Sequence, residues 1–144
     1  IRKLNKMLIG EKKLFNDRKI KKTIDNLSSA RDALAFYKVK AMYNYAHCII
    51  NRKNGNTNSY MINRSVFRDE AKEIIFKLFS EVLSKVSKSY YPPKSRKVIN
   101  LIEKLKKSKS HKSTLGGCII ESNSSYVLVT KEARLRNIPN QLRK

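Results

Sequence analysis

The stretch GGCIIESNSSYVLVTKEARLRN, residues 116–137, places two short apolar runs on either side of a patch of small polar side chains. The runs GCII (117–120) and YVLV (126–129) are rich in β-branched or aromatic residues and flanked by glycine and serine, which is typical of strands. Five uncharged residues lie at the junction of these runs in a very basic chain: Ser122, Asn123, Ser124, Ser125 and Tyr126. We expect a strand–loop–strand hairpin whose tip holds a ligand, with an ordinary hairpin turn as the alternative.

The residues after the second run predict a short helix. Thr130 is a favourable N-cap for the segment KEARLR, residues 131–136, because a threonine oxygen can accept a hydrogen bond from the first helical turn. The sequence therefore predicts an α+β fold, in which a helical N-terminal part precedes a small C-terminal strand–loop–strand–helix domain.

The clearest helical pattern lies upstream, between residues 71 and 86, where apolar side chains recur every three or four positions. Asn63 or Ser65 is its expected N-cap, after a short strand at YMI, residues 60–62. The core-facing positions of this helix are Ala71, Ile74, Ile75, Leu78, Phe79, Val82, Leu83 and Val86.

A third helix is predicted after Pro92 and Pro93, which end whatever element precedes them. Its lysines Lys97, Lys104 and Lys107 are expected to face outward. Its inward positions are Val98, Leu101, Ile102 and Leu105. We interpret the segment KKSKSHKST, residues 106–114, as a flexible basic loop.

The N-terminal region is rich in lysine, and Gly10 is expected to interrupt any helix in residues 1–24. Ser28 or Ser29 is the expected N-cap of a longer helix that ends in the turn-forming segment 51–59. One buried stripe is predicted along this helix, at Leu34, Tyr37, Ala41, Tyr45 and Cys48. The expected organisation is a basic arm (1–27), a helical domain (28–85) and a C-terminal α/β domain (86–144).

Charge is the strongest compositional signal of the chain. Thirty-three Lys and Arg residues stand against 11 Asp and Glu, which gives a net charge of +22. Self-repulsion of that size destabilises a compact fold unless a polyanion neutralises it. Nucleic acid is therefore the leading partner, and an anionic membrane surface is second. We do not expect the chain to span a membrane, because no apolar run approaches the ~20 residues that a bilayer requires.

Residues that carry chemistry are few and scattered. Cys48 and Cys118 form no short metal or disulfide motif, and their apolar surroundings predict buried, unreactive thiols. His47 and His111 have no suitably spaced partners for a metal site. The sequence contains no phosphate-binding loop and no zinc-protease motif. We expect neither catalysis nor a metal, cofactor or small-molecule substrate.

The segment 116–138 resembles the C-terminal signature of the eighth small-subunit ribosomal protein family. That signature consists of a glycine, an apolar strand, a Ser-Thr-Ser patch, a second strand and a capped Lys-Glu-Ala-Arg segment. Here Gly117 takes the glycine position, 122–124 the patch and 131–134 the last segment. Upstream, 86–88 (Val-Ser-Lys) is similar to the family's approach to a tyrosine-containing strand.

The resemblance implies a structural protein that docks the polar patch in the minor groove of small-subunit rRNA in its central domain and supports its assembly. Neighbouring ribosomal proteins are further implied partners. The rRNA-binding residues it implies are Ser122, Asn123, Ser124, Ser125, Tyr126, Ser87, Lys88, Lys131, Arg134 and Arg136. Small donor–acceptor side chains suit the RNA minor groove, which displays 2′-hydroxyls and base edges. Cations around the patch would contact phosphates without reading sequence.

Two other functions remain open at this point. One is a peripheral stator subunit of a rotary ATPase, although Gly10, Gly55 and the two prolines argue against long uninterrupted helices. The other is a stand-alone RNA chaperone or nucleoid protein. The composition, rich in Lys, Asn and Ile, favours an organellar ribosome. So do departures from the bacterial pattern, such as Pro-Asn-Gln at 139–141 where the family has Gly-Gly-Glu. We expect a mitochondrial location.

Overall fold

The computed structural model describes residues 2–50 and 58–133, with the backbone alone for residues 2–9, 15 and 58. The elements are α1 (Arg2–Tyr45), β1 (Ala46–Ile50), β2 (Asn58–Asn63), α2 (Val66–Asp69), α3 (Lys72–Ser87), α4 (Ser95–Lys107), β3 (His111–Leu115), β4 (Cys118–Ser122) and β5 (Tyr126–Lys131). Helices and one antiparallel sheet share the chain, so the predicted α+β class is confirmed.

Helix α1 is longer than the sequence predicted. Gly10 lies inside it, and so do Ser28 and Ser29, so the predicted interruption and the predicted N-cap are both wrong. One glycine costs a helix only about 1 kcal/mol relative to alanine, and serine is tolerated in helix interiors. The chain divides into two compact units, Ile1–Tyr37 and Lys38–Lys144.

The predicted stripe along α1 is only partly right. Ala41 is buried and Leu34 is half-buried, but Tyr37 is 51% exposed. Cys48 does not belong to the helix, because α1 ends at Tyr45 and Cys48 lies in β1, where it is exposed. The helical spacing failed at this point because residues 46–50 pair with β2 instead of continuing the helix.

The five strands form one sheet in the order β1-β2-β5-β4-β3, and every neighbouring pair is antiparallel. The predicted strands at 60–62 and 126–129 are confirmed as parts of β2 and β5, and the strand predicted at 117–120 is confirmed from Cys118 onward as part of β4. β2 pairs with β5 in the register Ile62 to Val127, so the sheet takes strands from both sides of residue 85.

The predicted basic loop 106–114 is wrong. Helix α4 extends to Lys107, and residues 111–115 form β3, which pairs with β4. The burial of β3 alternates as expected for a strand: its odd-numbered residues are half-buried and its even-numbered residues are exposed. The turn between β3 and β4 consists of Gly116 and Gly117 at φ 59° and 80°. That left-handed backbone favours glycine and closes a two-residue hairpin.

Helices α3 and α4 cover one face of the sheet, in contact with β2, β3, β4 and β5. The predicted inward positions of both helices are buried, except Ala71, which is exposed because α3 begins at Lys72. Ser65 does precede a helix, the short α2, but its side chain makes no capping hydrogen bond. Phe79 is fully buried at the centre of this layer and stacks on Phe67 with ring centroids 5.7 Å apart.

The C-terminal helix predicted to begin after Thr130 is not present at its predicted start. Thr130 and Lys131 belong to β5, where they pair with Ile119 and Cys118. The N–H of Glu132 donates to the Gly117 carbonyl at 2.9 Å and extends that ladder by one bond. Strand pairing thus outweighed the favourable cap. The remainder of the predicted helix, from residue 134, lies outside the described residues.

Candidate nucleic-acid interface at the hairpin tip

The five uncharged residues 122–126 lie at the end of the hairpin that β4 and β5 form. Ser122 pairs with Val127 as the last rung of the ladder. Beyond it, the N–H of Asn123 donates to the carbonyl of Tyr126 at 3.0 Å. Ser124 and Ser125 therefore form the end of the turn. We call residues 122–126 the hairpin tip.

Asn123 shapes the tip through its own side chain. Its Oδ1 accepts the N–H of Ser125 at 2.8 Å and that of Tyr126 at 2.9 Å. A side-chain oxygen that replaces a backbone acceptor in this way is a common turn former. Asn123 is thus a turn residue, as the alternative interpretation held. Its exposed amide nitrogen still faces solvent as a donor.

Ser122 is not presented at the surface. Its residue is 9% exposed, and its Oγ donates to the carbonyl of Lys109 at 3.3 Å. This bond joins the hairpin to the segment between α4 and β3. The Ser122 hydroxyl is therefore engaged within the fold.

Three other side chains do face solvent at the tip. Ser124 and Ser125 are exposed, and neither hydroxyl has a hydrogen-bond partner within the described residues. Tyr126 is 40% exposed and pairs across the sheet with Asn63. The tip therefore offers two free hydroxyls, which can donate and accept, beside an aromatic ring on which a base can stack.

Arg64 holds the tip in place, and sequence reading missed it. Its backbone N–H donates to the carbonyl of Ser125 at 3.1 Å. Its Nη2 donates to the carbonyl of Leu105 at 2.7 Å, and the guanidinium carbon lies 5.5 Å from the centre of the Phe67 ring. The partners are 41 and 61 residues away along the chain, so no local pattern could indicate them. Arg64 thereby joins the tip to the last turn of α4.

The other predicted contact residues lie elsewhere. Ser87 and Lys131 line one groove of about 840 Å³ with Tyr91 and the Gly116–Gly117 turn. This groove is at the opposite end of the hairpin, about 16 Å from the tip along β5 at roughly 3.3 Å per residue. Lys88 follows α3 in a left-handed conformation, with φ 53° and an exposed side chain. The structure therefore brings Ser87 and Lys131 together, but not with the tip.

Arg134 and Arg136 lie outside the described residues.

The two cysteines differ in environment. Burial raises the pKa of the Cys118 thiol to about 11, and its Sγ donates to the carbonyl of Leu83 at 3.5 Å. Cys118 is buried, as predicted, and a thiol with so high a pKa stays protonated at neutral pH. Cys48 is exposed, so the prediction that it is buried is wrong.

Residues 2–50 and 58–133 contain neither a cluster of metal ligands nor a membrane-spanning helix. This part of the chain holds no group of three or more His, Cys, Asp or Glu side chains that could ligate a metal. Nor does it contain a helix with the length and apolar character needed to cross a bilayer.

Comparisons of the chain with models of protein families, with curated proteins and with solved structures give no match.

Proposed function

We propose that the chain is a structural component of an organellar, mitochondrial small ribosomal subunit that binds folded rRNA of the central domain through the hairpin tip. The observation that carries the proposal is the pair of hydroxyls on Ser124 and Ser125, which have no hydrogen-bond partner within the described residues, next to the exposed ring of Tyr126. These uncharged groups lie in a turn that Asn123 and Arg64 brace, in a chain of net charge +22.

The different roles of charged and uncharged side chains in RNA binding support this proposal. Cations attract RNA from a distance and give affinity that falls with salt, but they do not distinguish one RNA from another. Recognition needs short side chains that can enter the shallow minor groove and pair with 2′-hydroxyls and base edges. Ser124 and Ser125 meet that need, and Asn123 and Arg64 hold them in a fixed turn.

A matched pair of serine variants tests the proposal. Ser124→Ala removes a tip hydroxyl, whereas Ser29→Ala removes an exposed hydroxyl on α1. We expect Ser124→Ala to weaken binding to a folded central-domain rRNA fragment by about 1–3 kcal/mol, because a hydrogen bond buried against RNA is lost. This corresponds to roughly 5- to 150-fold in Kd. Filter binding measures the change, and equal affinities of the two variants would remove the tip from the interface.

A peripheral stator subunit is the second candidate, and one observation favours it. Helix α1 runs uninterrupted through 44 residues, so one argument against a stalk protein no longer holds. A stator stalk has no evident polyanionic partner for a net charge of +22, however. Sedimentation of lysate separates the two functions, because a ribosomal protein travels stoichiometrically with the small subunit at moderate salt. Recovery with membrane-bound ATPase instead would favour the stator.

A further inference from the structure

A second polar site lies away from the hairpin tip, between helix α4 and the outer strand β3. Its volume is about 290 Å³, and we call it the α4–β3 cleft. Lys97 and Lys104 line its helical wall, and Ser113 and Thr114 line its strand wall. We infer that this cleft is a phosphate-binding site that holds the sugar–phosphate backbone of RNA. That the anion belongs to RNA rests on the function proposed above.

The two lysines are positioned to act on one ligand. They are seven residues apart on α4, which is about 10 Å along the helix axis at 1.5 Å per residue and nearly two full turns. Both therefore project from the same side of the helix, and both are exposed. Neither forms an ion pair within the described residues, so both charges are available to an anion.

Charge distinguishes this cleft from two other grooves on the described surface. The groove between α3 and α4 has two lysines, but Glu73 and Glu103 also line it. The groove at the far end of the hairpin places Lys131 beside Glu132. Among the described residues no carboxylate lines the α4–β3 cleft, and the titratable side chains that do line it are Lys97 and Lys104. An anion entering it meets two positive charges and no repulsion.

Ser113 supplies an independent sign of a missing ligand. Its Oγ is buried and has no hydrogen-bond partner among residues 2–50 and 58–133. Leaving a hydroxyl buried and unpaired costs about 1–3 kcal/mol, so such groups are uncommon without a role. Because Ser113 lines the cleft, its hydroxyl is a candidate donor to an oxygen of a phosphate bound there. Within the described residues the outer edge of β3 has no strand partner, and concave sheet edges can bind anions.

Two double variants with the same loss of charge test the cleft. Lys97→Gln with Lys104→Gln removes its cations, and Lys72→Gln with Lys106→Gln removes those of the neighbouring α3–α4 groove. The probe is poly(U), which has phosphates but no folded groove for the hairpin tip. Each lost phosphate contact lowers the slope of log Kobs against log salt by about 0.7. We expect a decrease of about 1.4 for the cleft variant and little change for its control.

Equal slopes for the two double variants would overturn the inference, since net charge alone would then explain binding. Ser113→Ala adds a readout that is independent of lysine charge. Its hydroxyl bonds to no group in the part of the chain that the structure describes, so the variant should fold normally. We expect its affinity for poly(U) to fall roughly tenfold, the value of a hydrogen bond to a charged group. Unchanged affinity would remove Ser113 from the site.

The same experiments keep this inference separate from the proposed function. Ser124→Ala should weaken binding to the folded rRNA fragment and leave binding to poly(U) unchanged. The cleft variant should weaken both. If the cleft variant behaves as expected but Ser124→Ala has no effect on either RNA, the cleft stands and the role of the tip falls. If Ser124→Ala weakens binding to the folded rRNA fragment but the cleft variant binds both RNAs like its control, the role of the tip stands and the cleft falls.

Discussion

The body and the tip of the β4–β5 hairpin belong to the same two strands, yet their side chains have opposite environments. In the body, Cys118, Ile120, Val127 and Val129 are fully buried beneath the helices. At the tip, only a few residues farther on, residues 123–126 are exposed. The difference indicates that the body stabilises the fold and that the tip is available for binding. Substitutions in the two parts should therefore have separable effects.

The largest effect is expected from removing the side chain that supports the hairpin body. Phe79→Ala leaves a cavity under the sheet, where the ring is fully buried, and should lower the free energy of unfolding by about 3–5 kcal/mol. Phe36→Ala is the control, because that ring is 66% exposed. Urea denaturation measures both. A loss below about 1 kcal/mol for Phe79→Ala would contradict the assignment of this face as the core.

A smaller effect is expected at Asn123, where stability and binding can be separated. Asn123→Ala loses two hydrogen bonds to tip N–H groups and should cost about 1 kcal/mol of stability. Asn123→Asp keeps the accepting oxygen, so its stability should stay close to that of the wild type. It adds a negative charge, however, and should still weaken rRNA binding. Thermal melts and filter binding check both variants, and full rRNA affinity in Asn123→Asp would contradict a tip that faces RNA.

The smallest effect concerns pH and lies in the helical layer. Burial raises the pKa of Glu81, but the ammonium of Lys38 at 3.1 Å and that of Lys85 outweigh it and lower the pKa overall. A carboxyl with a lowered folded-state pKa stabilises the fold above its unfolded pKa, about 4.5, and this stability is lost as pH falls through the folded pKa. Because Glu81 is one-third exposed, we expect less than about 1 kcal/mol.

Glu81→Gln should therefore flatten the pH dependence of unfolding below about pH 4.5. Glu103→Gln is the control, since Glu103 is exposed and forms no ion pair within the described residues. Denaturant midpoints at several pH values measure the difference. Equal pH profiles of the two variants would show that the ion pairs of Glu81 contribute nothing.

Local patterns in the sequence predicted the hairpin and the two core helices. In α3 and α4 the apolar spacing matched the helical period, and in β4 and β5 short β-branched runs ended at turn residues. The predictions failed where local signals competed with strand pairing. Residues 46–50 fitted a helical stripe and Thr130 fitted a cap, yet both lie in strands because neighbouring strands offered a ladder of hydrogen bonds.

The candidate site was predictable in position but not in detail. Small uncharged residues between two strands indicated the tip. The pleat of the strand directs Ser122 inward, which the sequence alone does not reveal. Arg64 supports the tip through contacts with residues that are distant in sequence. The α4–β3 cleft was missed because residues 106–114 were interpreted as a loop, so β3 provided no second wall for the lysines of α4.

The most direct test of RNA recognition by the tip is the amide NMR spectrum of the protein during titration with the folded central-domain rRNA fragment. We predict that the N–H signals of Ser124, Ser125 and Tyr126 shift up to a stoichiometric endpoint, whereas poly(U) leaves those of Ser124 and Ser125 in place. Signals from the buried body, such as Val129, should move little. Saturating RNA binding that leaves the three tip signals in place would contradict the central claim.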